Sequence, residues 1–184
     1  FAECIITLID DNKDKAIEIV TETINTFEKI YEEKWLNMMR DKLGLFGEDI
    51  NDQIMIMELL TWMHENKADY TNTFCFLMNE KISNNEIYND KKFIIWKKKW
   101  ESRLKLNNNS QKKYLKLMHS VNPLVIPRNH KVEEALAAAN NGDLEVMNKF
   151  LLVLEKPYEN QRNIIDFQSP APSSNKAYQT FCGT

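Results

Sequence analysis

Glycine and proline are scarce, with four glycines (Gly44, Gly47, Gly142, Gly183) and five prolines in 184 residues. An average chain carries roughly 7% glycine. There is no GxGxxG and no GxxxxGK[ST], so neither a dinucleotide fingerprint nor a P-loop is present to cradle a phosphate on backbone amides. So few turn formers also exclude an all-β fold, which needs a turn every ~8–12 residues. The three cysteines, Cys4, Cys75 and Cys182, are far apart and form no CxxC, so neither a disulfide framework nor a zinc ribbon is expected. The three histidines, His64, His119 and His130, stand alone without an HExxH and read as ordinary polar or capping residues. No 18-residue apolar run and no leader pattern occur, which leads us to expect a cytoplasmic protein without a membrane partner. The chain opens on Phe1, so further residues are expected upstream. A net charge of −3 gives no global field toward nucleic acid, which is not an expected partner.

What is present is helical periodicity. Ile17, Val20, Ile24, Phe27, Tyr31, Trp35 and Met38 recur every three or four residues, which predicts a helix over 13–41 with one apolar stripe. Asp10, Asp11 and Asn12 supply its cap, and the glycines at 44 and 47 stop it. A second helix over 52–66 is apolar on nearly every face and so is expected to be buried. Asp69 caps a short third helix that ends before the 83–85 break. Residues 90–106 form a basic amphipathic helix, with Phe93, Trp96, Trp100 and Leu104 on one side and lysines on much of the other. After the 107–110 loop a helix runs through Tyr114 to Met118. Pro123 and Pro127 then impose an extended connector over 121–129. An αα-hairpin follows, turning at Asn140, Asn141 and Gly142, with Asp143 as cap for the second helix. Pro157 ends it. The expectation is an all-α domain over 1–156 and an extended C-terminal tail over 157–184.

Chemistry-bearing patterns are few. The Lys91-Lys92 and Lys97-Lys98-Lys99 runs, with Trp96, Trp100, Arg103 and Lys105, have the ingredients of a nucleic-acid surface, with charges for phosphates and rings for bases. The same spacing is also the pattern of a core-facing stripe with a solvated opposite face. Asp166-Phe167-Gln168 resembles a kinase DFG but lacks the glycine and has no HRD-like loop before it. Glu32 and Glu33 are neighbours on a helix, pointing ~100° apart, and read as surface charge. Cys4 and Cys75 sit among apolar neighbours and read as small buried hydrophobes. Cys182 stands in a polar terminal segment and is the candidate redox thiol.

Six short stretches in order resemble one family. They are residues 35–45 (WLNMMRDKLGL), 68–74 (ADYTNTF), 122–139 (NPLVIPRNHKVEEALAAA), Gly142-Asp143, Lys156-Pro157-Tyr158 and the closing QTFCGT. Together they resemble the C-terminal part of the selenoprotein O or YdiU family of pseudokinase protein adenylyltransferases. That resemblance implies an all-α fold, the helical C-terminal part of a protein-kinase-like C-lobe. It implies a full-length enzyme that moves AMP from ATP, with Mg2+ or Mn2+, to Ser, Thr or Tyr hydroxyls of protein substrates. The phosphate-binding and metal-binding residues would precede Phe1, leaving no catalytic, cofactor or metal site in this chain and no activity in it alone. The upstream kinase-like region would be its partner. Relatives often carry a cysteine or selenocysteine near the C-terminus, and Cys182 matches that position, although the ending here is Cys-Gly-Thr. The alternative reading is a stand-alone helical interaction module that binds a protein or nucleic acid through the basic 90–105 helix.

Overall fold

The computed structural model describes residues 1–82, 86–106, 109–161 and 164–171, and these contain α-helices, one 3-10 turn and no strand. The helices are α1 (Ala2–Ile9), α2 (Lys13–Lys42), α3 (Asp52–Asn66), α4 (Tyr70–Leu77), α5 (Lys91–Lys105), α6 (Gln111–Val121), α7 (Asn129–Asn140), α8 (Glu145–Leu154) and α9 (Ile164–Gln168). The 3-10 turn, Glu86–Asn89, leads into α5. The 83–85 break, part of the 107–110 loop and the closing stretch with Cys182 lie outside the described residues.

Local chemistry explains where the helices begin and end. The Asn12 side chain accepts from the Asp14 and Lys15 amides at 3.0 and 3.2 Å, satisfying donors that the first turn of α2 leaves unpaired. At the other end Gly44 is left-handed at φ +70, and the Leu45 amide returns to the Arg40 carbonyl at 2.9 Å, closing a Schellman motif. Asp69 caps α4 through the Asn72 amide at 2.8 Å, and Asp90 caps α5 through Lys92 and Phe93. Asp143 accepts from the Glu145 amide at the start of α8.

The core is aromatic and lies between α3, α4 and α5, closed by α6 and the last two turns of α2. Trp62 and Phe93 have centroids 4.5 Å apart, Phe76 stacks on Tyr88 at 4.0 Å, and Trp96 lies parallel to Trp100 at 6.1 Å. Each buried indole donates: Trp62 to the Asp90 carboxylate, Trp96 to the Met55 carbonyl and Trp100 to the Leu43 carbonyl, all at 2.8 Å. Burying these rings therefore leaves no indole N–H unpaired. Asn122, buried at the end of α6, donates to the Lys42 and Met118 carbonyls at 2.9 Å and so joins the C-termini of α2 and α6. α7 and α8 pack as the expected hairpin.

Three expectations differ from the structure. α3 is not buried all round, because Ile54 and Met57 are 62% and 48% exposed on a groove beside α5. Cys4 is exposed, because nothing in α1 is buried. The extended tail expected from 157 is interrupted by α9, whose Ile164 and Gln168 are buried against the connector, so Asp166-Phe167-Gln168 is a helical packing segment. The apolar stripe of α2 forms as expected, and from Ile17 to Tyr31 it is largely exposed.

Candidate functional site

Two carboxylate centres, Asp52 buried and Asp69 half-buried, hold the elements together. Asp52, at the first turn of α3, is 1% exposed and lies between two arginines. Arg40 Nε reaches its Oδ2 at 2.8 Å, and Arg103 Nε reaches Oδ1 at 2.7 Å. Arg103 Nη2 also donates to Oδ2 and to the carbonyls of Phe46 and Gly47 at 3.2–3.3 Å, so it fixes the loop between α2 and α3. Burial alone would raise the Asp52 carboxyl. The hydrogen bonds from Arg103 and Arg40 and from the Asp49 amide outweigh it and hold the group below the usual carboxylate value.

The second centre ties α4 to the connector and α9. Asp69 takes a bidentate pair from Arg128 at 2.7 and 2.8 Å while it caps α4, and its carboxyl is likewise lowered against the opposing effect of burial. Asn72 donates to the Gln168 carbonyl at 3.1 Å, and Gln168 donates to the Leu124 carbonyl at 2.9 Å. Asp69, Tyr70 and Asn72 form one wall of a 750 Å3 cleft closed by His64, Lys67 and Tyr88.

Neither centre is arranged for acid, base or nucleophilic work. Both carboxylates are lowered and saturated by arginine donors. The Cys75 thiol is pushed up to about 12, chiefly by burial, and is therefore inert. Tyr88 is also raised to about 12, again chiefly by burial. Among the described residues no group of three or more His, Cys, Asp or Glu side chains is placed to hold a metal ion. No helix among the described residues is long and apolar enough to cross a membrane.

The basic helix divides as its periodicity demands. Trp96 and Trp100 are each 3% exposed and committed to the core, so neither ring is available to stack on a base. Lys92 and Lys99 pair with Glu65 and Glu58 on α3 at 2.8 and 2.7 Å, bridging a 680 Å3 groove whose floor includes Ile54, Met57 and Ile95. Arg103, counted in sequence with the basic run, is buried at 7% on the core side. Its position three after Trp100 and seven after Trp96 is the signal that places it there. Asp52, Asp69 and Arg128 carry no comparable signal, because their partners are 12 to 59 residues away.

The family model described as protein adenylyltransferase SelO matches residues 1–155. The chain belongs to this family. Among curated relatives, the protein nucleotidyltransferase YdiU of Pelagibacter ubique is 57% identical over the whole of this chain. The proteins of the same name from Alcanivorax borkumensis and Nitrosococcus oceani are 43% and 42% identical over the whole chain. The chain spans 38% of the length of each of these relatives. The SelO match therefore agrees with the resemblance carried by the six stretches, and the all-α architecture agrees with the fold expected from them.

Proposed function

We propose that this chain is the all-α C-terminal portion of a protein adenylyltransferase, the helical base of a kinase-like C-lobe. Its parent transfers AMP from ATP to Ser, Thr or Tyr hydroxyls of protein substrates in the cytoplasm. The observation that carries the reading is the SelO match along 1–155 of a chain that spans 38% of its relatives. The two arginine-saturated centres support it, since they stiffen a scaffold.

In this reading ATP and its Mg2+ or Mn2+ are held outside this chain. The carboxylates of Asp52 and Asp69 are spent on Arg40, Arg103 and Arg128. Nucleotide and metal belong to the upstream region in this reading. Titration calorimetry with MgATP tests it on this chain and on the full-length parent at equal concentration. Binding by the parent alone is expected, and binding by the isolated chain would overturn the assignment. Cys182, which lies outside the described residues, serves in this reading as a redox-regulatory thiol that exchanges with a cysteine elsewhere in the parent. Cys182→Ser in the parent should abolish any dependence of AMP transfer on the thiol–disulfide ratio.

A second reading rests on the α3–α5 groove, where exposed Ile54, Met57 and Ile95 stand between charged rims. Here the chain is an interaction module whose basic helix takes a protein partner. Steeply salt-dependent binding to RNA or DNA would favour its nucleic-acid form instead.

A further inference from the structure

Nothing among the described residues covers the broad apolar face in the middle of α2. Ile24, Phe27, Ile30 and Tyr31 are 55%, 65%, 53% and 57% exposed. At ~3.6 residues per turn they fall within an arc of about 120°, while Glu28, Lys29, Glu32 and Glu33 occupy the opposite side. Phe27 and Tyr31 stack on each other at 5.9 Å. α1 reaches only the first turns, where Ala16 is fully buried, and the core engages α2 only from about Trp35 onward. The middle of the helix is thus an amphipathic segment without its hydrophobic counterpart among the described residues.

The width of the arc says what kind of surface covers it. A two-stranded coiled coil buries a narrow seam sustained over three or four heptads. Here the seven-residue recurrence Ile17, Ile24, Tyr31 is flanked by Ile30, and Lys34 interrupts the second row. An arc above ~100° is the signature of a helix set into a packed core. A body of that size is at hand, because this chain spans only 38% of the length of its relatives.

We propose that the Ile24–Phe27–Ile30–Tyr31 face of α2 is the seam on which the remaining part of the parent adenylyltransferase packs. The proposal rests on the reading given under Proposed function, in that it assumes a longer parent. It adds which surface of the chain is covered. α2 then runs continuously from the core of this chain into the upstream body, coupling the two through a single helix.

Cysteine accessibility tests the seam. Phe27→Cys and, as a reference on the charged arc, Glu32→Cys are labelled with a maleimide in the isolated chain and in the full-length parent, with modification read at each site by peptide mass spectrometry. Phe27→Cys should react at the reference rate in the isolated chain and at least tenfold more slowly in the parent. Equal rates in the two proteins would overturn the proposal. Protection in the isolated chain, with light scattering showing a dimer, would make a second copy the occupant and equally overturn it. Should Phe27→Cys fail to fold, amide exchange over 21–34 in the unsubstituted proteins gives the same decision, with tenfold slowing in the parent expected and no slowing contradictory. AMP transfer by the parent is measured alongside. Transfer without protection defeats the seam and leaves the proposed function standing, and protection without transfer does the reverse.

Discussion

Replacing Asp52 by Asn tests whether the buried centre carries the stability that its geometry implies. The carboxylate accepts from Arg40 Nε, Arg103 Nε, Arg103 Nη2 and the Asp49 amide, at 2.7 to 3.2 Å. Asparagine keeps the shape but removes the charge between two guanidinium groups that are themselves 9% and 7% exposed. Removing one partner of a buried ion pair costs about 3–5 kcal/mol, most of it from the cations left uncompensated. With a urea slope of about 1–3 kcal/mol/M, the midpoint should fall by at least ~1 M. Unfolding is followed by tryptophan fluorescence, because Trp96 and Trp100 lie in the adjoining core.

Lys99→Met serves as comparison. It breaks an exposed pair with Glu58 at 2.7 Å, and such pairs contribute at most about 1 kcal/mol. A midpoint for Asp52→Asn no lower than that of Lys99→Met would refute the reasoning. The apolar triple Arg40→Met, Asp52→Leu, Arg103→Met should recover part of the loss, since it leaves no buried charge. Recovery stays partial because Arg103 also serves the Phe46 and Gly47 carbonyls.

Three more outcomes are expected. Gly44→Ala should destabilise more than Gly142→Ala. Both positions are left-handed, at φ +70 and +84, with about 1–2 kcal/mol of strain each, but only at Gly44 would a Cβ meet buried Met118 Cγ at 3.0 Å, adding about 1–3 kcal/mol. Urea midpoints rank the two, and equal losses would deny the close approach. In native protein Ellman's reagent should modify exposed Cys4 at pH 8, while Cys75, with its thiol pushed up to about 12, should react only after unfolding. Rapid native modification of Cys75 would contradict its burial. Because Asp52 and Asp69 are lowered in the folded state, their contribution is complete above the unfolded carboxylate value near ~3.9 and is lost as pH falls through the folded values. Stability should therefore drop between pH 5 and pH 2 with a slope that Asp52→Asn makes shallower, and an unchanged slope would remove Asp52 from the account.

Most helices were legible because their evidence is local. Asn12, Asp69 and Asp90 act as caps within three residues of themselves, and Phe93, Trp96, Trp100 and Leu104 share a face by spacing alone. The two carboxylate centres were not legible, because Asp52 meets Arg103 across 51 residues and Asp69 meets Arg128 across 59. Nothing in a helical period marks a carboxylate that folding will enclose. α9 was missed for a related reason, since five residues are too few to display a period and the helix is held by Gln168 reaching the Leu124 carbonyl.

The α2 stripe shows where periodicity stops informing. Ile17 through Met38 keep one spacing along the helix, yet Trp35 near its end packs partly buried against the core while Phe27 in its middle is 65% exposed. Periodicity says which residues turn the same way and is silent on what stands opposite them. The amphipathic middle of α2 is as strongly patterned as its buried end, so its composition was shaped for a neighbour that the described residues do not contain. α2 is thus the element that joins this scaffold to another body, and Asp52, through Arg40, anchors it at the core end. Loosening that anchor would cost stability here and would also misdirect the helix into whatever surface receives Phe27 and Tyr31.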